Sequence, residues 1–165
     1  MKRADSLRAG LWNALFFLTA LLVSALDQLT KLWIRANLDL GESLPLTGWL
    51  RLTHIRNPGA AFGLFQGFSF TLTVLAIAGI IALLVFFIFF YHRFPFLNDS
   101  LSKPALGLIL GGTVGNLIDR LRLGSVTDFV DFGFWPAFNV ADASIVIGAL
   151  IFAYSLLFPA RAKQS

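Results

Sequence analysis

The chain has 165 residues, of which 57% are hydrophobic and only 13% are charged. A soluble domain of this size could not cover so much apolar surface, so the composition indicates an integral membrane protein of one domain. The absence of cysteine excludes disulfides, a cysteine nucleophile and thiolate metal ligands. The net charge of +4 does not indicate a nucleic-acid partner, because the basic residues cluster at the ends of apolar runs.

The first apolar run follows a basic segment, residues 2–8, and predicts a membrane-spanning helix over about residues 11–34. A secretory signal peptide begins in the same way, and Val23-Ser24-Ala25 resembles a cleavage site. The helical pattern continues beyond that point, which favours a retained span. Removal of the segment is the alternative.

Residues 36–65 have mixed character, and ordered loops of this length tend to be functional. Within them, residues 49–56 (WLRLTHIR) interleave polar and strand-favouring side chains and predict a strand. Asn57-Pro58-Gly59 predicts a turn, because proline presets one backbone angle and glycine permits a positive one. Residues 60–65 are small and apolar, and they predict a short amphipathic segment on the membrane surface.

Three further apolar runs predict spans over about residues 68–91, 104–122 and 140–158. The run that begins at 104 stays apolar only to Ile118, so the polar residues that follow it are expected near the membrane surface. Glycines recur every fourth residue in this run, at Gly107, Gly111 and Gly115, which predicts close approach by another helix. The predicted fold class is an all-α membrane protein with four transmembrane helices.

Four spans put both termini on one side of the membrane and gather a polar cluster on the other. The residues of that cluster are Asp27, Asn57, Asn116, Asp119, Arg120, Asp128, Asn139 and Asp142. Slightly more lysines and arginines lie on the side of the termini. The positive-inside rule therefore favours cytoplasmic termini and an acidic cluster outside.

Residues 124–144 carry three aspartates between two apolar runs, and a carboxylate kept beside hydrocarbon is costly enough to indicate function. We predict that Asp128 and Asp142, each in a polar stretch, form a hydrolytic pair. Asp131 is followed by aromatic residues and resembles an acid of an interfacial loop. Because a helix N-terminus favours the anionic carboxylate, Asp142 is expected to be ionised and Asp128 to hold the shared proton.

Structural interpretations compete with the functional ones. Asp142 follows Asn139 by three residues, as in a capping box, and capping alone could explain it. Asp27 and Lys31 have the i, i+4 spacing of a helical ion pair, and for Lys31 a surface pair is the simpler interpretation. Asp27 could equally belong to the site, because a carboxylate at that depth needs a partner.

Asn116, Asp119 and Arg120 share the end of the third span, where we expect Asn116 to point inward and the other two to support the architecture. Other chemistries fit less well. Ser/His/Asp catalysis would depend on His54 in the extended loop, and a metal site built from three aspartates would lack histidine ligands. The alternative function, a proton- or ion-coupled transporter, would place its acids nearer the midplane.

Five motifs follow one another between the predicted spans: DQLTK at 27–31, NPGAAFG at 57–63, GNLIDR at 115–120, VTDF at 126–129 and FNVAD at 138–142. In these motifs the chain resembles lipoprotein signal peptidase (signal peptidase II), a family of bacterial membrane aspartic proteases, over nearly its whole length. The resemblance implies cleavage of prolipoproteins before a cysteine that carries diacylglycerol, at the outer face of the bacterial cytoplasmic (inner) membrane. We expect no metal or other cofactor.

The resemblance implies that Asp128 and Asp142 are the catalytic pair. It implies supporting or substrate-positioning roles for Asp27, Lys31, Asn57, Gly59, Ala60, Phe62, Asn116, Asp119, Arg120, Asn139 and Ala141. It also implies a small extramembrane β-sheet in residues 44–65 that cradles the substrate, membrane lipids as partners, and inhibition by cyclic peptides such as globomycin. The segment between the two aspartates is shorter than is usual in the family.

Overall fold

The computed structural model describes residues 2–45, 48–59, 69–94 and 101–158, without the side chains of residues 2–12 and 92. In chain order the elements are α1 (Lys2–Asn37), β1 (Ser43–Leu44), β2 (Arg51–Asn57), α2 (Ser69–Val85), α3 (Ser102–Leu123), β3 (Val126–Asp131) and α4 (Val140–Leu157). A π-helical turn at Phe86–Phe90 and a 3-10 turn at Tyr91–Arg93 extend α2. The predicted amphipathic segment at 60–65 lies outside the described residues.

Three helical segments among the described residues are long and apolar enough to cross a membrane: Asn13–Asn37, Ser69–Phe90 and Val140–Leu157. The α3 helix is not one of them, because its apolar stretch is short and its last turn carries Arg120 and Arg122. It packs instead against α1, α2 and α4, and half of its residues are buried there. The fold is mostly helical with one small sheet, and a fourth span stays a prediction.

The predicted close approach at the glycines of α3 is confirmed, with α1 as the partner helix. A Cβ added at Gly111 would lie 2.6 Å from the backbone oxygen of Ala20, and one at Gly115 would lie 2.5 Å from Oδ2 of Asp27. On its other side α3 meets α4, where a Cβ at Gly112 would strike the backbone oxygen of Ala141. The small residues therefore let three backbones meet around the polar end of the bundle.

We expect Gly111→Ala to destabilise the protein by about 1–3 kcal/mol, because the α1 backbone must move to admit the methyl group. Gly79→Ala is the matched control, since an added Cβ on α2 meets nothing within 4 Å. It should be neutral or slightly stabilising, because alanine is the better helix former. Thermal unfolding of both variants in detergent measures the difference, and equal melting temperatures would contradict this account of the packing.

The sheet has the order β1-β2-β3 and all its pairs are antiparallel. The strand predicted over 49–56 is found as β2, but the sheet is not confined to 44–65. Its third strand is β3, which pairs with β2 so that Asn57 lies opposite Val126. Phe129 of β3 packs against Ile34 of α1 and against Leu38, the residue that follows this helix. Because successive strand residues point to opposite faces, the preceding residue, Asp128, points away from that apolar contact.

Candidate active site

Asp128 lies on β3 and is only 2% exposed. Both of its oxygens accept hydrogen bonds from amides: Oδ2 from Nδ2 of Asn57 at 2.8 Å, and Oδ1 from Nδ2 of Asn139 at 2.7 Å. Burial and the neighbouring Asp142 carboxylate nevertheless raise the pKa of Asp128 to about 7. The two amides favour the anion, but desolvation outweighs them, so this carboxyl holds a proton at pH values where an ordinary aspartate is ionised.

Asp142 lies in the first turn of α4, where Asn139 is the N-cap and the two residues form a capping box. Its Oδ2 accepts the backbone N–H of Asn139 at 3.3 Å, and its Oδ1 accepts a bond from Nδ2 of Asn116 at 2.8 Å. Asn139, which is fully buried, therefore bonds to Asp142 through its backbone and to Asp128 through its side chain. The capping interpretation is confirmed, but capping does not remove Asp142 from the site, because the same carboxyl also lines a cavity.

The two aspartates share a cavity of about 530 Å³. Its polar side is formed by Asn57, Asn116, Arg120, Asp128 and Asp142. Its apolar side is formed by Trp135, Pro136, Ala137 and Phe138 from the connection between β3 and α4, and by Ile145, Val146 and Ile147 of α4. The cavity thus joins a pair of carboxyls to an apolar wall, which suits a substrate with a polar reacting group and a hydrophobic body.

Arg120 takes a more direct position than the architectural one expected for it. It lines the cavity, its guanidinium interacts electrostatically with Asp142 and Asp128, and its Nη2 donates to the backbone oxygen of Gly59 at 3.5 Å. Gly59 is buried and follows the turn that Asn57 opens, and the side chain of Asn57 accepts the Gly59 N–H at 3.0 Å. The turn is thereby held against the end of α3.

The interpretation of Lys31 as half of a surface pair is wrong. Lys31 and Asp27 are both completely buried, with Nζ of Lys31 2.8 Å from Oδ2 of Asp27. The same Nζ donates to Oδ1 of Asn116 at 2.8 Å. Periodicity along α1 could not distinguish a lipid-facing ion pair from one that faces α3, and the close approach at Gly115 decides for the latter.

Asp119 is 1% exposed and accepts the backbone N–H of Thr127 at 2.9 Å, which attaches the end of α3 to β3 as expected of a supporting residue. Asp131 differs from the interfacial acid predicted for it. It is buried and accepts hydrogen bonds from Arg51 at 2.7 Å and from Thr53 at 2.9 Å. It therefore ties β2 to β3, because the register places it opposite Arg51.

Three polar residues that sequence reasoning left out also belong to this region: Gln28, Arg35 and Thr127. Gln28 donates to Asp119 Oδ1 at 3.2 Å, and Arg35 donates to Thr127 Oγ1 at 2.8 Å. For Arg35 the available signal was spacing, since it continues the i, i+4 series of Asp27 and Lys31 on one face of α1.

His54 does not join the carboxyls. Its Nδ1 lies 2.9 Å from the backbone oxygen of Leu38, and it does not line the cavity. Among the described residues, no three acidic or histidine side chains are grouped as metal ligands would be. Two residues that the resemblance singled out, Ala60 and Phe62, lie outside the described part of the chain.

Residues 19–158 match the family model described as signal peptidase (SPase) II. The chain belongs to the signal peptidase II family. A lipoprotein signal peptidase of Moorella thermoacetica is 45% identical over 146 residues, which cover 88% of this chain and 94% of the relative. One of Dehalococcoides mccartyi is 44% identical over 135 residues, covering 82% of this chain and 84% of the relative.

Two solved structures, each described as a bacterial membrane enzyme determined by the in meso method, have the same fold as this signal peptidase II family member. The 2.3 Å structure aligns with a TM-score of 0.75 and 32% identity over 91% of this chain and 92% of its own. The 1.9 Å structure aligns with a TM-score of 0.72 and 34% identity over 91% and 94%. The resemblance seen in the five motifs is confirmed, and family membership does not favour the transporter alternative.

Proposed function

We propose that this protein is a membrane-embedded aspartic endopeptidase that removes signal peptides from diacylglyceryl-modified prolipoproteins by cleaving before the lipidated cysteine. The observation that carries the proposal is that, in a signal peptidase II family member, Asp128 and Asp142 line one cavity with an apolar wall. Cleavage of a prolipoprotein by variants in which either aspartate is replaced with asparagine tests it. Asn57, Asn116, Arg120 and Asn139 are the proposed positioning residues.

The two carboxyls are suited to share one proton, because a buried carboxylate, Asp128, and a half-buried neighbour, Asp142, cannot both ionise cheaply. We propose that Asp142, held at a helix N-terminus that favours the anion, takes a proton from water as the water oxygen attacks the scissile carbonyl carbon. Asp128, whose pKa is raised to about 7, donates its proton to the carbonyl oxygen. When the C–N bond breaks, the proton held by Asp142 passes to the leaving amine and Asp128 regains its own.

This assignment predicts how activity depends on pH. The pKa of Asp128 is raised from 3.8 to about 7, so Asp128 is protonated below that pH and loses its proton above it. We therefore expect kcat/KM to fall as the pH rises through about 7. Asn57→Ala removes a hydrogen bond that favours the Asp128 anion, so it should lower the rate and also move the descending limb to higher pH. Initial rates of cleavage between pH 5 and 9 test this, and a limb that moves to lower pH in Asn57→Ala would contradict it.

We further propose that α3 is a fourth span, that both termini are cytoplasmic, and that the cavity opens at the outer face of the cytoplasmic (inner) membrane. Support comes from the distribution of polar residues, since Asn57, Asn116, Asp128 and Asp142 share one end of the bundle. A helix surrounded by others needs less apolar surface than one facing lipid, which suits α3 to that role. Membrane lipids, and cyclic peptides such as globomycin, are the further ligands proposed from the family resemblance.

The topology predicts which single cysteines react from outside. Asp39 and Arg93 are both exposed and lie at opposite ends of the bundle in the proposed arrangement. Asp39→Cys should react with a membrane-impermeant maleimide in right-side-out cells, whereas Arg93→Cys should react only after the membrane is opened. The parent chain has no cysteine and therefore serves as the control for non-specific labelling. Labelling of Arg93→Cys in sealed cells would overturn the orientation.

A further inference from the structure

The backbone on the N-terminal side of each proposed catalytic aspartate is held by a second, buried aspartate. The N–H of Thr127, which precedes Asp128, donates to Oδ2 of Asp119 at 2.9 Å. The N–H of Ala141, which precedes Asp142, donates to Oδ1 of Asp27 at 2.9 Å. The two elements that carry the proposed catalytic aspartates, β3 and α4, are therefore attached in the same way, β3 to α3 and the start of α4 to α1.

One cation connects these two attachments. Nζ of Lys31 lies 2.8 Å from Oδ2 of Asp27 and 3.6 Å from Oδ2 of Asp119. It also donates to Oδ1 of Asn116, which accepts a second bond from Asn139. Because its oxygen is occupied by these donors, the Asn116 amide must turn its NH2 group outwards, and that group donates to Asp142 at 2.8 Å.

We infer that Lys31 is a positioning residue which sets the separation and orientation of Asp128 and Asp142 by holding Asp27, Asp119 and Asn116 together. The inference rests on the proposed function of the two aspartates. Lys31 lies outside the cavity, and it acts on the chemistry through these three side chains. Arg35 completes the cluster from the same face of α1, since it pairs with Asp119 at 3.4 Å and donates to Thr127.

A purely structural role for Lys31 would affect folding but leave the kcat of the folded enzyme unchanged, whereas a positioning role lowers that kcat. The charge of Lys31 also acts on the Asp128 carboxyl. The charged groups that interact with this carboxyl are Asp142 of α4, Lys31 of α1 and Arg120 of α3, while β2 contributes the neutral amide of Asn57. Lys31 favours the anion of Asp128, so loss of the cation raises the pKa of Asp128 further.

The test uses the full-length protein with Asp27→Asn and Lys31→Met combined, because this removes the buried pair without leaving an unpaired charge. The asparagine introduced at position 27 can still accept the Ala141 N–H, but the link from Lys31 to Asn116 is lost. We expect kcat for prolipoprotein cleavage to fall on the order of 10²-fold with little change in KM, as for a small misplacement of reacting groups. We also expect the descending limb of the pH–rate profile to move to higher pH.

The matched control is Lys103→Met, which removes another buried cation, hydrogen-bonded to Oδ1 of Asn13 at 3.0 Å, near the opposite end of α3. It should leave kcat and the pH profile at their parental values. A parental kcat and pH profile in folded Asp27→Asn/Lys31→Met, or an equal shift in the control, would overturn the inference. If the double variant does not fold, Lys31→Arg replaces it. This variant keeps the positive charge, so the descending limb of the pH–rate profile should stay in place while kcat falls. A parental kcat in Lys31→Arg would overturn the inference.

Asp128→Asn is assayed in parallel. Activity in that variant would overturn the proposed function, whereas an inactive Asp128→Asn beside a fully active Lys31 variant would overturn only the present inference.

Discussion

Asp128→Asn and Asp142→Asn are each expected to lower the rate of prolipoprotein cleavage by at least about 10⁴-fold, the upper end of the range for a proton-transfer group. Asparagine keeps the size and much of the hydrogen bonding of aspartate, but it can neither take a proton from water nor donate an acid proton. Because the two carboxyls act as one unit, the double variant should be little worse than either single one. Initial rates with each purified variant measure this.

Folding can be separated from chemistry in this experiment. The pKa of Asp128 is raised from 3.8 to about 7 in the folded protein, so the native state binds more protons than the unfolded state between these values. Its stability therefore falls as pH rises through that window. Asp128→Asn removes this pH-dependent loss of stability, so at pH 8 the variant should have a melting temperature no lower than that of the parent. Near-normal cleavage by Asp142→Asn would instead reduce Asp142 to a helix cap, since asparagine also caps helices.

Lys31→Met alone is expected to destabilise the protein by about 3–5 kcal/mol, the usual cost of breaking a buried ion pair from one side. Asp27 is completely buried, and Lys31 is its only cationic partner among the described residues. Asp119 is less affected, because Arg35 remains beside it. The combined variant Asp27→Asn/Lys31→Met should recover most of the loss, since no buried charge is left unpaired.

Unfolding of the three proteins in the same detergent measures this difference, and Arg51→Met supplies the comparison. Arg51 is 31% exposed, and without it Asp131 still accepts hydrogen bonds from Thr53 and Gly133, so the loss of Arg51 should cost about 1 kcal/mol or less. If Lys31→Met were no less stable than Arg51→Met, the buried cluster would not be held together by Lys31.

The sequence alone determined where the helices lie and which of their ends is polar. Long apolar runs have few alternatives to a membrane helix, because every backbone group must be satisfied within the segment. The glycines at every fourth residue of α3 and the Asn139–Asp142 capping box are local patterns, and both were found as predicted. Local spacing carries such features because their partners lie within one helical turn or along one helix face.

Which polar residues are buried together depends on how the helices and the sheet pack. The i, i+4 spacing of Asp27 and Lys31 is the same on a surface and in a core, and it is the contact of α1 with the glycine face of α3 that buries them. Likewise, nothing near Asp128 or Asp131 in the sequence shows that their segment is a strand paired with residues 51–57, about seventy positions earlier. Strand pairing is a long-range contact, so the Asp128 carboxyl meets its amides only after α1, α3 and the sheet have packed.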